Sequence, residues 1–129
     1  MEWCLELDIR ILTVFAFSTE NTRRNPDEVD YLMELFENNL LRLGDDERIH
    51  ENKIRVTVMG QRDILPTNVR ESIEYAEEMT KDYDEYYYNI ALAYGSRQEI
   101  VQAIKKVARK VKEGEMDVDD IDENVFSNY

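Results

Sequence analysis

The 129-residue chain is short of several residue types: it has one cysteine, one histidine, two prolines and four glycines. The lone Cys4 excludes an internal disulfide and suits a reducing compartment. No Gly-rich phosphate loop follows any β-rich segment, which argues against a nucleotide-binding α/β domain of the usual kind. No apolar run approaches the roughly 18 residues of a membrane span. Met1 is followed by Glu2, Glu6 and Asp8 with no basic region, so no signal peptide is expected and the chain reads as cytoplasmic. Basic residues are outnumbered 16 to 29 by acidic ones, and the net charge of −13 would repel nucleic acid over most of the surface. A small phosphorylated ligand stays admissible, because a local arginine cluster outweighs the global field at short range. Repeats, low-complexity segments and linkers are absent, and 1–129 reads as one domain.

The most informative stretch runs from Ile9 to Asn21. Ile9 to Phe17 is nearly all apolar and β-rich, as in a strand covered on both faces of a parallel sheet. Ser18-Thr19-Glu20-Asn21 then turns polar, at the carboxyl end of the strand, where open α/β sheets place their ligands. Arg23 and Arg24 follow, and then a helix start, a layout that suits an anion.

Around this stretch the spacing predicts strands at about 9–17, 54–59 and 87–93 and helices at about 26–43, 66–81 and 97–113. Met1 to Asp8 reads as the last two turns of a helix, with Trp3, Cys4 and Leu7 on one side. Asn25 is the expected N-cap of the first long helix, with Glu28 closing a capping box and Gly44 stopping the helix. Asp45 to Asn52 reads as a polar connector; His50 in it is either a solvated histidine or, with Asp45, Asp46 and Glu47, part of a metal site. Pro66 opens a helix with Val69, Ile73, Ala76 and Met79 inward, and Ser96 with Glu99 forms a second capping box. Ile100, Val101, Ile104, Val107, Ala108 and Val111 make the apolar stripe of the last long helix. Its basic second half and the acidic tail after it read as solvated faces. The order βαβαβα implies an α/β fold, a parallel three-strand sheet with flanking helices. The carboxyl ends of its strands share one edge, within reach of Arg24 and Arg97.

Phe17-Ser18-Thr19-Glu20-Asn21, Arg24, Glu28-Val29 and Leu32 to Phe36 resemble the signature loop and helix of the cis-prenyltransferases, the undecaprenyl (polyprenyl) diphosphate synthases. Asn89-Ile90-Ala91, Tyr94-Gly95-Ser96-Arg97 and Glu99-Ile100-Val101 resemble that family's Asn-Tyr-Gly-Gly-Arg segment and its following helix. The resemblance covers essentially every residue. It implies a transferase that adds isopentenyl diphosphate to an allylic diphosphate with cis double bonds and a requirement for Mg²⁺. The three strands would then be part of a larger sheet, and the loop after the first a mobile lid, Thr19 to Asn25 staying poorly ordered until a diphosphate binds.

Carried over by position, Ser18 and Asn21 would be polar contacts near the reacting diphosphates, with Asn21 assisting proton removal. Arg24 would hold a phosphate as a fork, Glu28 would support the closed loop, and Arg97 would meet the ligand from the third strand end. Ala16, Met33, Ile54 and Leu92 would wall a tunnel for the growing chain. Plainer roles stand beside these: a βα turn for Ser18 and Asn21, a capping box for Glu28, a surface position for Arg97, and ordinary core for the four apolar residues.

The sequence departs from the family pattern at Thr22, where an aromatic residue is usual, at Asn25 (proline), Ser96 (glycine) and Ala93 (asparagine). The family's Asp-Gly-Asn-Gly-Arg loop, whose aspartate serves the metal and diphosphate, is not present, nor are its Arg-Thr-Ser-Gly and Arg-x-Ser-Asn-Phe segments. The chain therefore reads as a single partial domain, the central piece of a synthase, and as given an inactive fragment. The alternative is a non-catalytic accessory or binding subunit of the same fold. Self-association or a homodimer is expected from the uncovered edges, and peripheral membrane contact from release of a polyprenyl product.

Overall fold

Three β-rich segments, β1 (Ile11–Ser18), β2 (Ile54–Met59) and β3 (Tyr86–Tyr94), form one parallel sheet in the computed structural model, which describes residues 2–129. The strand order is β1-β3-β2, so β3 is central and the other two strands are edges. α1 (Glu2–Glu6) precedes β1; α2 (Pro26–Asp45) and α3 (Glu47–Glu51) lie between β1 and β2; α4 (Thr67–Thr80) joins β2 to β3. These elements form one compact unit ending at Tyr94. A second unit, Gly95–Tyr129, holds α5 (Ser96–Glu113) and α6 (Glu123–Ser127). The three strands and three long helices lie within about two residues of their predicted spans.

Alternation in β2 sends Ile54, Val56 and Val58 inward at 2–4% exposure, while Arg55 faces solvent. They join Leu92, Ile90 and Phe17 in a core completed by Met33 and Leu40 of α2 and Val69, Ile73 and Ala76 of α4. Strand β1 departs from the expectation of cover on both faces, since Ile11 and Phe15 are 62% and 64% exposed. The ladder explains why Phe17 alone of this odd-numbered set is buried. Phe15 pairs with Ala91 but Phe17 with Leu92, so Ala16 is an unpaired bulge residue. That bulge switches the strand's parity and turns Phe17 into the core, edge-on to Phe36 at 5.9 Å between ring centroids.

A second bulge restores the register. Ser18 pairs with Tyr94, which leaves Ala93 of β3 unmatched, with φ at +53° and its side chain fully buried. That left-handed conformation costs an L-residue about 1–2 kcal/mol. The same peptide explains Gly60, whose φ is +137° and where a Cβ would stand 1.9 Å from the Leu92 carbonyl oxygen. Gln61 then donates its N–H to the Ala93 carbonyl at 3.1 Å.

Several local expectations are corrected. Gly44 does not stop α2; it is buried inside the helix, where the Tyr75 ring of α4 occupies the room a Cβ would need. The connector after it contains α3, with Ile49 1% exposed and His50 half-buried rather than solvated. His50 is bonded through both ring nitrogens, to the Tyr83 hydroxyl at 2.8 Å and the Gly44 carbonyl at 2.7 Å. In α4 the buried polar residue Thr80 takes the place predicted for Met79, which is 43% exposed. Burial of Thr80 is tolerated because its hydroxyl donates to the Ala76 carbonyl and accepts from the Val56 N–H. The stripe of α5 is largely uncovered, with Ile100, Val101 and Ile104 about half exposed and Ala103 and Val107 buried. The box predicted for Ser96 and Glu99 is absent, since Gly95 is the N-cap and Ser96 already lies in the helix.

The outer edge of β2 is closed by side chains. Val58 donates its N–H to Glu77 at 2.9 Å, and Arg62 binds both Glu77 oxygens and the Val58 carbonyl. With Thr80 on Val56, this satisfies edge groups that an added strand would otherwise use. Two outcomes test the packing. Gly60→Ala should lower stability on the order of 2–4 kcal/mol, read as a lower urea midpoint, because both backbone angle and space forbid the methyl group. Glu77→Ala should cost about 1–3 kcal/mol by stranding the Val58 N–H and Arg62, with increased self-association on a sizing column.

Candidate functional site

The parallel sheet places Ser18, Gly60 and Tyr94 at its carboxyl-terminal edge. Immediately after β1 the chain enters a 3₁₀ turn, Thr19–Arg23, capped by Ser18. Here Ser-x-x-Asn works as a capping box. The Asn21 N–H donates to Ser18 Oγ at 3.2 Å, and Asn21 Oδ1 accepts from both the Ser18 N–H and the Ser18 hydroxyl at 2.8 Å. The backbone donor settles which end of the amide faces Ser18, since only the oxygen can accept. The amide Nδ2 of Asn21 takes no part in the box, which leaves two donor hydrogens suited to a phosphate oxygen.

Arg24 caps the turn, its N–H donating to the Asn21 carbonyl at 3.1 Å. Its guanidinium meets Glu28 at 2.7 Å, one helical turn on, with both side chains about half exposed. Glu28 therefore does not close the predicted capping box. Asn25 caps α2 by accepting the Asp27 N–H, and Pro26 occupies the first turn, where no donor is needed. The Glu28 carboxylate instead positions Arg24, one nitrogen of the fork being used and the rest open to water. Ser18, Asn21, Arg24 and Glu28 are thus linked in one chain of bonds at the strand's end. Arg97 lies in the first turn of α5, in the second unit, and is exposed.

Of the four candidate tunnel residues, Met33, Ile54 and Leu92 belong to the packed core at 7%, 2% and 1% exposure. Ala16 is exposed as the bulge residue of β1. A cavity of about 500 Å³ lies elsewhere, lined by Glu2, Trp3, Leu5, Asp46, Arg48 and Ile49. α1 and α3 lead into β1 and β2, so this cavity sits by the amino ends of the strands, the wrong edge for an α/β ligand site. Arg48 there is already paired with Glu2 and Asp46 and holds the Asp46 carboxyl below the usual carboxylate range.

Among the described residues no group of three or more His, Cys, Asp or Glu side chains could hold a metal ion. Glu28 is bound to Arg24, Asp45 accepts from Tyr75, and both His50 nitrogens are engaged, so these side chains are already committed to protein partners. No helix among the described residues is long and apolar enough to cross a membrane.

The bonding in this site was partly open to sequence reasoning. Ser-x-x-Asn is a legible variant of the capping-box pattern, and Arg24 with Glu28 has the i, i+4 spacing of a helical ion pair. Neither bulge carries a pattern of its own.

Comparison with known proteins agrees with this geometry. The family model described as "Putative undecaprenyl diphosphate synthase" matches residues 1–129. The chain is 54% identical over its whole length to a tritrans,polycis-undecaprenyl-diphosphate synthase (geranylgeranyl-diphosphate specific) of Pyrococcus furiosus, covering 49% of that protein. It is 48% identical to the protein of the same name from Methanocaldococcus jannaschii, covering 46% of it. The chain thus spans about half the length of the curated relatives it matches. Among solved structures, lavandulyl diphosphate synthase from Lavandula x intermedia, in complex with dimethylallyl diphosphate, superposes with a TM-score of 0.88. Identity there is 34%, with 95% of this chain and 52% of that one covered. A "probable undecaprenyl diphosphate synthase" from Campylobacter jejuni gives 0.81 at 35% identity, with 99% and 57% covered. With the family model matched from end to end and the signature turn closed at the carboxyl edge of a parallel sheet, the chain belongs to the undecaprenyl diphosphate synthase family of cis-prenyltransferases.

Proposed function

We propose that the full-length protein carrying this chain builds a polyprenyl diphosphate by adding isopentenyl diphosphate to an allylic diphosphate. The observation that carries the reading is the bonded series Ser18–Asn21–Arg24–Glu28 at the carboxyl edge of the sheet. It offers a half-exposed guanidinium and an amide NH₂ group to an anion, and it occurs in a chain whose net charge of −13 otherwise disfavours one. Arg24 binds a diphosphate oxygen and Glu28 keeps the fork oriented. Ser18 anchors Asn21, whose amide donates to the same ligand. Arg97 is the candidate second cation, and Ala16, Met33, Ile54 and Leu92 are the candidate apolar contacts of the prenyl chain. The names of the Pyrococcus and Methanocaldococcus relatives favour geranylgeranyl diphosphate as the allylic primer.

Ionising an allylic diphosphate requires neutralising a leaving group of high negative charge. Among the described residues no cluster of three or more carboxylates and histidines supplies a metal site for it, and the proposal assigns the protein ligands of Mg²⁺ to the remainder of the full-length protein. Two outcomes follow. The full-length protein with labelled isopentenyl diphosphate, geranylgeranyl diphosphate and Mg²⁺ should make polyprenyl product, and the 129-residue chain alone should make none. Absence of product from the full-length protein would favour the accessory-subunit reading, and turnover by the short chain would show that the remainder is dispensable. In the full-length protein, Arg24→Ala should raise KM for a diphosphate substrate by about tenfold, the loss of one charge-assisted contact. Unchanged kinetics would make Arg24 a surface residue.

A further inference from the structure

The most strained backbone of the carboxyl edge lies one residue from Tyr94, the ladder partner of Ser18. Ala93 has φ at +53° and no exposed surface, and it is not part of a turn or a helix cap, where such angles usually occur. It is the unmatched residue of β3, one pair further along the ladder than the unmatched Ala16 of β1, with Phe17–Leu92 between them. Together the two bulges carry the ladder from Phe15–Ala91 through Phe17–Leu92 to Ser18–Tyr94. With the bulge at Ala16 kept and none at Ala93, the last pair would be Ser18 with residue 93. Ser18, and with it the Asn21 box, would then sit one residue lower along β3.

The arrangement is held from the other side too. Gly60 lies against the Leu92–Ala93 peptide with no room for a Cβ, and Gln61 bonds the Ala93 carbonyl. A buried, strained residue clasped by two neighbouring strand exits is retained only where the surroundings over-determine it, and such strain gathers at functional sites. Bulges beside active sites re-aim side chains.

We propose that Ala93 is a positioning residue for the reaction, its left-handed backbone setting the register that places Ser18 and Asn21. It touches no substrate and acts through the ladder. The inference rests on the proposed role of the Ser18–Asn21 turn, but its structural half stands on the register alone. Asparagine is among the few L-residues that enter the left-handed region readily, and alanine holds the same angle less comfortably.

The test is a matched pair of variants in the full-length protein, Ala93→Asn and Ala93→Thr, with Ala93→Gly as a third. Asparagine and threonine are of nearly equal size, so crowding of the buried site is the same for both. Both bury a polar group, and they differ most in their tolerance of a positive φ, threonine being β-branched. The first measurement is amide hydrogen exchange at Asn21, whose N–H is bonded to Ser18 Oγ. Glycine and asparagine should keep its protection, and threonine should lose it. The second is kcat, expected within about threefold of the parent for glycine and asparagine and lower on the order of tenfold to a hundredfold for threonine. Glycine should lower the melting temperature, since a buried methyl group is lost, so retention of kcat there separates positioning from stability. Equal behaviour of the asparagine and threonine variants, folded or not, overturns the proposal. A parent protein without synthase activity sinks the proposed function instead, and the exchange data still decide whether Ala93 sets the turn.

Discussion

Every backbone bond between strands runs through β3, because β1 and β2 each pair with it and not with each other. The constraint is strong in a parallel sheet, where the two edge strands are joined only by a long crossover through α2 and α3. Register errors on β3 therefore propagate to both neighbours. The end of this strand must meet Ser18 on one side and Gly60 on the other within three residues, and the chain does so with a left-handed alanine and a glycine no larger residue can replace.

The two edges of the sheet are finished differently. On β2 the outward N–H groups of Val56 and Val58 are taken by Thr80 and Glu77, and Arg62 ties Glu77 back to the strand. This is a closed border, well suited to the last strand of a sheet. Among the described residues no side chain bonds the outer edge of β1 before Ser18, and Ile11 and Phe15 on that strand stand mostly exposed. The difference fits a chain that spans about half the length of its relatives. Addition of a strand is hindered at β2 around Val56 and Val58, and no such bonds guard β1 among the described residues.

The candidate site is small in this chain. One turn joins Ser18, Asn21, Arg24 and Glu28, and those bonds serve two ends. They satisfy the backbone where the strand stops, and they hold a guanidinium and an amide at a fixed spacing. Plain turn closure and ligand binding therefore do not exclude each other at Ser18 and Asn21. The same hydrogen bonds that close the turn are what would pre-organise it for an anion.

The amino-acid sequence by itself determined the class of fold, the spans of the three strands and three long helices, and the position of the polar turn. These depend on local periodicity: alternation in Ile54, Val56 and Val58, helical spacing in Val29, Met33, Phe36 and Leu40, and the abrupt change at Ser18. Family membership was legible for a similar reason, since its motifs are contiguous in the chain. Tertiary structure alone decided the strand order, the burial of Thr80 in place of Met79, the packing role of Gly44, and the ties of His50 to Tyr83 and Gly44. It also decided that Glu28 serves Arg24 rather than the helix cap, and that Ala16 and Ala93 are bulges. Each of these depends on a partner from another element, and a local pattern cannot say which partner will arrive. An alanine has no polar group or unusual shape to mark it, so its left-handed backbone appears only when two neighbouring strands compel it.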